Sequence, residues 1–225
     1  MRGAVMYGPG DVRVEERSDP RIVEATDAII RLSATCVCGS DLWPYRGVEA
    51  VDGPSPMGHE YVGIVEEVGS QVSTIRPGQF VVGSFFASDN TCEICQAGYQ
   101  SSCVHKEPIG AIGTQAELAR IPLADGTLVA TPDIPPDDLI PSLLAASDVL
   151  GTGWFGAVAA EAGPGSSWSA RSSPPTTPAR SAGPAIRATA CTVSRSVRSA
   201  RRRSVCAYRW PTAPWSPPRN RRPTT

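Results

Sequence analysis

Residues 58–65 have the sequence Gly58-His59-Glu60-Tyr61-Val62-Gly63-Ile64-Val65, in which a potential metal ligand stands directly before a strand-like run. β-Branched and aromatic residues dominate residues 61–65, and such runs favour strands. A second run, Ala28-Ile29-Ile30-Arg31-Leu32, precedes the polar segment Cys38-Gly39-Ser40-Asp41. Gly, Pro and Asp separate further runs of this kind as far as residue 130. This pattern predicts a mainly β domain, either a barrel or a sandwich.

Turn and helix signals subdivide the region. Pro77-Gly78 precedes a strand-like run and Ala124-Asp125-Gly126 lies between two such runs, so each predicts a hairpin. After residues 135–138, a helix is predicted because apolar residues recur at helical spacing, at Leu139, Ile140, Leu143 and Leu144. A second helix is expected from about Gly153 to Ala162, before a Gly-Pro-Gly breaker.

The 225-residue chain has two compositional regimes. Residues 1–165 contain 9 basic and 22 acidic residues, a net charge of −13, whereas residues 166–225 contain 12 Arg and no acidic residue. The second regime also has 11 Ser and 9 Pro but neither Leu nor Phe, so it cannot bury enough apolar surface to offset the entropy of ordering. We therefore predict a disordered basic tail over residues 166–225.

Two hypotheses account for this tail. The abrupt loss of acidic residues and of periodicity is typical of a GC-rich coding sequence translated in the wrong frame, so one hypothesis is a frameshift near residue 166 that leaves the chain truncated. The other is an Arg-rich arm for nucleic acid, with aromatic side chains for stacking at Trp168, Tyr208, Trp210 and Trp215. The acidic first part would compete for the arm, so nucleic acid is the less favoured partner.

Composition also limits the compartment. No run of about 18 apolar residues exists, and the first residues lack the apolar core of a signal peptide, so a membrane span and secretion are disfavoured. A cytoplasmic chain is expected. There, seven Cys favour metal ligands or buried thiols over disulfides.

Cys38-Gly39-Ser40-Asp41 and Gly58-His59-Glu60 offer two zinc ligands on separate segments, as a zinc site requires. In combination these motifs resemble the N-terminal catalytic domain of the zinc-dependent medium-chain alcohol dehydrogenases, from residue 1 to about residue 165. The resemblance implies a GroES-like, partly open β-barrel with a few helices. It places a catalytic barrel at residues 1–135 and a helical connection at residues 136–165.

The same resemblance implies the ligands of a catalytic zinc. Cys38 and His59 are the first two, and Asp148 occupies the third position, four residues before the pair Thr152-Gly153. Family members have Cys, Asp or Glu at this third position, and a carboxylate oxygen is an ordinary zinc ligand.

The residues next to these ligands also receive roles by resemblance. Ser40 passes the alcohol proton outward, Asp41 holds the other ring nitrogen of the His ligand, and Glu60 lies behind the metal. Many members continue the proton relay with a His five residues after the Cys ligand, but this chain has Trp43, whose indole offers only a donor. Cys36 matches no ligand position and is predicted to be a buried free thiol.

A second cysteine cluster predicts a structural zinc site. Cys92-Glu93-Ile94-Cys95 and Cys103 supply three thiols and leave one tetrahedral position. The family has four ligands on this lobe, and Asp89 stands where Cys is usual. We interpret the site as closed, with the ligands Asp89, Cys92, Cys95 and Cys103. His105 is the rival fourth ligand, and a metal-free lobe is the alternative.

Residues 151–156 match the dinucleotide-binding fingerprint G-x-G-x-x-G letter for letter. A functional fingerprint needs a strand before it and an acidic residue about 20 positions later. Here the preceding residues have a helical pattern and no acidic residue follows Glu161. We interpret the match as a loop and helix start beside the metal, with Thr152 near the nicotinamide. The family's Rossmann domain is expected to be absent.

The resemblance implies an oxidoreductase with two zinc ions, one of them catalytic, that oxidises an alcohol to an aldehyde or ketone and passes hydride to NAD or NADP. The chain as written is expected to be inactive, because its nucleotide-binding domain would be missing. The alternative function is a zinc-binding β-domain without catalysis. The substrate and the choice of nucleotide are left open. The oligomeric state is also open, because the subunit contacts of the family's homo-oligomers commonly involve the part that this chain does not match.

Overall fold

The computed structural model describes residues 1–161 and residues 208–209. These residues contain eleven strands: β1 (Arg2–Gly8), β2 (Asp11–Glu16), β3 (Ala28–Thr35), β4 (Ser55–Pro56), β5 (Tyr61–Val68), β6 (Phe80–Gly83), β7 (Phe86–Ala87), β8 (Glu107–Pro108), β9 (Leu118–Ile121), β10 (Leu128–Ala130) and β11 (Tyr208–Arg209). The α-helices of the same residues are α1 (Leu42–Tyr45), α2 (Glu93–Gln96), α3 (Ala124–Thr127), α4 (Ile140–Ala146) and α5 (Val149–Ala159). Short 3-10 turns form at Gly39–Asp41, Gln100–Ser102 and Ile109–Ala111.

The strands form two antiparallel sheets and a separate β7-β8 pair. The smaller sheet has the order β2-β1-β4, and the larger has the order β10-β6-β5-β3-β11, with β9 also paired to β3. Apolar side chains of β3, β5, β6, β9 and β10 form the main core. Tyr61 is fully buried there, and its ring covers Gly83, where a Cβ atom would overlap it. The prediction of a mainly β fold with a few helices is confirmed.

The pairing of β3 with β5 brings the two predicted metal motifs together. β3 ends at Thr35, which lies opposite Tyr61, the first residue of β5. Cys38 follows the end of β3 and His59 precedes the start of β5. Antiparallel neighbouring strands run in opposite directions, so the end of β3 lies beside the start of β5. Both residues therefore lie at the same end of this strand pair.

Helix α4 brings the third predicted ligand to this end of the strand pair. Its Leu144 is buried against Ala34, Val62 and Phe80, which belong to the central strands β3, β5 and β6. Asp148 stands between α4 and α5, two residues after the last residue of α4. The packing of α4 on the sheet therefore determines the position of Asp148 relative to the ends of β3 and β5.

Two local predictions were wrong. Ala124-Asp125-Gly126 forms α3 instead of a hairpin turn, and the flanking strands β9 and β10 pair with β3 and β6. Here the chain turns at Leu123, which has a positive φ of 50°, and long-range pairing outweighs the local turn signal. α5 begins at Val149 instead of near Gly153. The turn at Pro77-Gly78 between the paired strands β5 and β6 and the helix after residue 138 are confirmed.

Two further findings concern the predictions on the tail and on membranes. β11 pairs with Ala34 and Thr35 of β3, while residues 162–207 and 210–225 lie outside the described residues, so the disordered tail stays a prediction. Within the described part, no single helix is long and apolar enough to cross a membrane; the bent pair α4 and α5 passes that test by length and composition only.

Asp125 fastens the loop before β6, and this predicts an acid-sensitive contribution to stability. Its carboxylate accepts hydrogen bonds from the backbone and hydroxyl groups of Ser73 and Thr74, at 2.7–3.1 Å. Burial opposes ionisation, but these bonds outweigh it and lower the pKa of Asp125. Asp125→Asn should cost about 1 kcal/mol at neutral pH. The stabilisation is present above the carboxyl's unfolded pKa, so the difference should vanish as pH falls through the folded pKa.

Urea denaturation across the acidic range measures this difference. Asp133→Asn is the matched control, because its side chain is exposed. An Asp125→Asn penalty that persisted unchanged in acid would contradict the charge-based explanation.

Candidate metal centres

Four predicted residues meet at the common end of β3 and β5. One ligand atom each of Cys38, His59, Glu60 and Asp148 lies within 4.8 Å of the others. The Oδ2 atom of Asp148 is 4.0 Å from the Sγ of Cys38 and 3.6 Å from the Nε2 of His59. A thiol, an imidazole and a carboxylate converging in this way are a donor set that suits zinc.

Asp41 positions two of these residues at once. Its Oδ2 accepts the backbone N–H of Cys38 at 2.9 Å, and its Oδ1 lies 3.4 Å from the Nδ1 of His59. The Nδ1 side of the ring therefore faces Asp41 and the Nε2 side faces Asp148. This is the arrangement by which a carboxylate fixes the tautomer and orientation of a metal-binding His.

The cluster needs a positive charge. Hydrogen bonds with Asp148, then Asp41 and then Cys38 raise the pKa of His59 to about 12. Burial opposes the ionisation of Asp148, but hydrogen bonds with His59 and Thr152 outweigh it and lower its pKa. Either a proton on His59 or a metal ion can balance these carboxylates.

Glu60 lies behind the cluster and is almost fully buried, at 1% exposure. Its Oε2 accepts a hydrogen bond from the Sγ of Cys36 at 3.0 Å, whereas Oε1 has no hydrogen-bond partner among the described residues. A buried, unpaired carboxylate oxygen is costly, and a neighbouring cation would reduce that cost. Burial, then the bond to Glu60, raises the pKa of Cys36, so this half-buried thiol is a neutral donor. The sequence alone did not reveal this pairing.

Residues of the predicted catalytic cluster line two cavities. Asp148 and Thr152 line a mostly apolar cleft of about 910 Å³, whose walls include Phe85 and Phe155. Ser40 and His59 line a second cavity of about 340 Å³, together with Asp41. Ser40 is exposed to this cavity. A metal held by the cluster would therefore be accessible to a small molecule.

Thr152 lies one helical turn after Asp148 and donates its hydroxyl to the Oδ1 of that residue at 2.8 Å. The literal fingerprint at residues 151–156 lies inside α5, with α4 and no strand before it, which agrees with its rejection as a nucleotide site. The glycines are helical, so the expected loop is not formed. Thr152 lines the large cleft, and its role near a nicotinamide stays a prediction.

The predicted structural site also assembles. Ligand atoms of Asp89, Cys92, Cys95 and Cys103 lie within 4.8 Å of one another. The Sγ atoms of Cys92 and Cys103 are 4.0 Å apart. Hydrogen bonds, first from the backbone of Val104, lower the pKa of Cys92 and favour its thiolate, whereas burial raises the pKa of the neighbouring Cys95 to about 12. His105, the rival ligand, contacts the carboxylate of Asp89 and is not a member of this group.

Comparison with known proteins agrees with the fold. Residues 24–133 match the alcohol dehydrogenase GroES-like domain. The medium chain reductase/dehydrogenase ucsI of an Acremonium species is 42% identical over 169 residues, and the zinc-type alcohol dehydrogenase B of Aspergillus flavus is 39% identical over 160 residues. Among solved structures, alcohol dehydrogenase TADH from Thermus sp. ATN1 matches 72% of the chain with a TM-score of 0.64 and 32% identity.

Residues 24–133 therefore match the GroES-like domain of the alcohol dehydrogenases, and the chain is similar to zinc-type medium-chain members of that family. The two relatives match 73% and 70% of the chain, and the chain spans 57% and 37% of their own lengths and 48% of the Thermus protein. The predicted GroES-like fold and the family resemblance are confirmed.

Thr152 offers a prediction about the third ligand. Thr152→Val keeps the shape of the side chain but removes the hydroxyl that holds the Oδ1 of Asp148. We expect the catalytic site to lose about tenfold in zinc affinity, the lower end of the usual effect for such supporting groups. Competition with a chromogenic chelator measures this, and Thr152→Ser should restore the affinity. Equal affinities of the Val variant and the wild type would exclude a positioning role.

Proposed function

We propose that this protein contributes the catalytic domain of a zinc-dependent alcohol dehydrogenase, which interconverts a small alcohol and the corresponding aldehyde or ketone with NAD or NADP. The observation that carries the proposal is the Cys38–His59–Asp148 cluster, in which Asp148 lines one cavity and His59 lines another. A purely structural zinc site would be closed by four protein ligands, whereas a catalytic site keeps one position open.

Zinc held by Cys38, His59 and Asp148 would supply Lewis-acid chemistry that polarises the oxygen of the substrate. The surrounding residues have supporting roles in this proposal. Asp41 orients the imidazole of His59, and Glu60 adds negative charge behind the cluster. Ser40 is proposed to accept the hydroxyl proton of the alcohol and to pass it to solvent, and its position in the lining of the same cavity as His59 supports this role.

A bound NAD or NADP would supply the hydride acceptor for the alcohol carbon, and Ser40 would take the alcohol proton, so the oxidation would balance. The apolar cleft beside Asp148 would exclude water from the reacting carbon. Holding the two reactants at near-attack distance supplies several kcal/mol of the barrier. Thr152, on the wall of that cleft, is proposed to contact the nucleotide.

Cobalt(II) substitution tests whether the site is open. In the Cys92→Ala variant, which should keep only the catalytic site, added imidazole should change the visible cobalt spectrum by taking the open position. The double variant Cys92→Ala/His59→Ala should show no such change. An unchanged spectrum on adding imidazole to Cys92→Ala would mean a closed metal site and would favour the alternative, a zinc-binding β-domain without catalysis.

Nicotinamide absorbance tests the reaction itself. Because the chain as written is expected to be inactive, the reaction is tested on a chain continued in the corrected frame after residue 165. There we expect reduction of NAD or NADP by a panel of primary, secondary and polyol alcohols to depend on bound zinc and to be lost in His59→Ala. Reduction that survived both zinc removal and His59→Ala would contradict the proposed site.

A further inference from the structure

The carboxylate of Asp89 has different partners on its two oxygens. Oδ1 accepts the backbone N–H groups of Thr91 at 3.0 Å and Cys92 at 3.1 Å, and it lies 3.4 Å from the Sγ of Cys103. Oδ2 lies 2.6 Å from the Nδ1 atom of His105. One oxygen therefore faces the thiols while the other faces the imidazole.

His105 is also attached to the cluster through its backbone. Its N–H donates to the Sγ of Cys103 at 3.3 Å, so the residue supports a thiol and the carboxylate at the same time. The imidazole is 66% exposed and the Asp89 side chain only 12%. The ring therefore lies on the solvent side of the carboxylate, outside the group formed by the four ligand atoms.

A carboxylate ligand needs more support than a thiolate. A thiolate binds through its single sulfur, whereas a carboxylate can rotate and bind through either oxygen or through both. A hydrogen bond to the oxygen that does not bind the metal restricts the carboxylate to one arrangement. Asp89 is the only carboxylate in the described group of four, so it is the ligand for which such a partner matters most.

We infer that His105 is a positioning residue for Asp89 in the proposed structural zinc site, and not a ligand. The Nδ1 atom of the ring is engaged by Oδ2, and this bond keeps Oδ1 directed toward the thiols. The inference rests on the proposed zinc site of the lobe. It predicts that the imidazole slows the loss of zinc only while the fourth ligand is a carboxylate.

Zinc release to a chromogenic chelator from the full chain tests this role without any activity assay. The kinetic phase that disappears in Cys92→Ala belongs to the lobe. In that phase, His105→Phe, which keeps a ring but removes the donor, should release zinc about tenfold faster. His105→Asn should recover most of the wild-type rate, because its amide nitrogen can occupy the place of Nδ1.

The decisive control is the Asp89→Cys background. A thiolate at position 89 has only its sulfur and lacks the second oxygen to which His105 binds in Asp89. Adding His105→Phe in this background should therefore leave the rate of zinc release unchanged. An equal acceleration in both backgrounds would mean that His105 is itself a ligand or supports the lobe generally, and would overturn the inference. If His105→Phe released zinc from the lobe at the wild-type rate, the inference would be overturned as well. If no phase depends on Cys92, the lobe site itself fails, and the inference fails with it.

Discussion

The His59→Ala variant should carry one equivalent of zinc where the wild type carries two. His59 supplies one of three proposed ligands at the catalytic cluster, and its Nε2 lies 3.6 Å from the Oδ2 of Asp148. Loss of a residue that hydrogen-bonds to a metal ligand typically lowers the metal affinity by about 10- to 100-fold, and loss of a ligand itself should lower it further. Dialysis against a chelator that the wild type withstands should therefore empty this site.

Two variants separate the sites in this experiment. Cys92→Ala should also leave one equivalent, but from the other site, and the double variant should leave none. Elemental analysis after dialysis measures the zinc content. Two equivalents in His59→Ala would mean that Cys38, Glu60 and Asp148 suffice without the imidazole. A wild type with one equivalent that Cys92→Ala leaves untouched would show that the lobe binds no zinc.

Much of the proposed site could be predicted because its residues are fixed by strand positions. Cys38 and His59 flank paired strands, and the strand pattern around them was clear from β-branched runs. Asp148 could be placed only by family spacing, since its contact with Cys38 spans 110 residues and depends on the packing of α4. No local signal in the sequence encodes that distance.

Contacts that form only after folding were missed. The hydrogen bond from Cys36 to Glu60 joins the residue after β3 to the residue before β5, and Cys36 on its own suggested an unpaired thiol. The hydrogen bond between His105 and Asp89 was also missed, because the sequence presented the two residues only as rivals for the fourth ligand position. Local signals also failed at Ala124-Asp125-Gly126, because the pairing of β9 with β3 outweighed the turn chemistry.

The Arg120→Met variant should lose about 3 kcal/mol of unfolding free energy, near the lower end of the range for breaking a buried ion pair. Asp27 is fully buried, and its Oδ2 accepts bonds from the backbone of Val23 at 3.0 Å and Glu24 at 2.9 Å and from Arg120 at 3.0 Å. Its Oδ1 has no partner among the described residues. Removing the guanidinium would leave a buried charge without its counter-ion, although the 25% exposure of Arg120 lets water replace part of it.

Urea denaturation at neutral pH, with zinc present at equal concentration, measures this loss. Arg13→Met is the matched control: it breaks the exposed pair with Asp11 and should cost much less. Asp27→Asn added to Arg120→Met should recover much of the stability, because the amide oxygen can still accept the N–H groups of Val23 and Glu24 without carrying a charge. If Arg120→Met were no more destabilising than Arg13→Met, the pair would not be holding β9 to the start of β3, and the packing of the barrel alone would have to account for that contact.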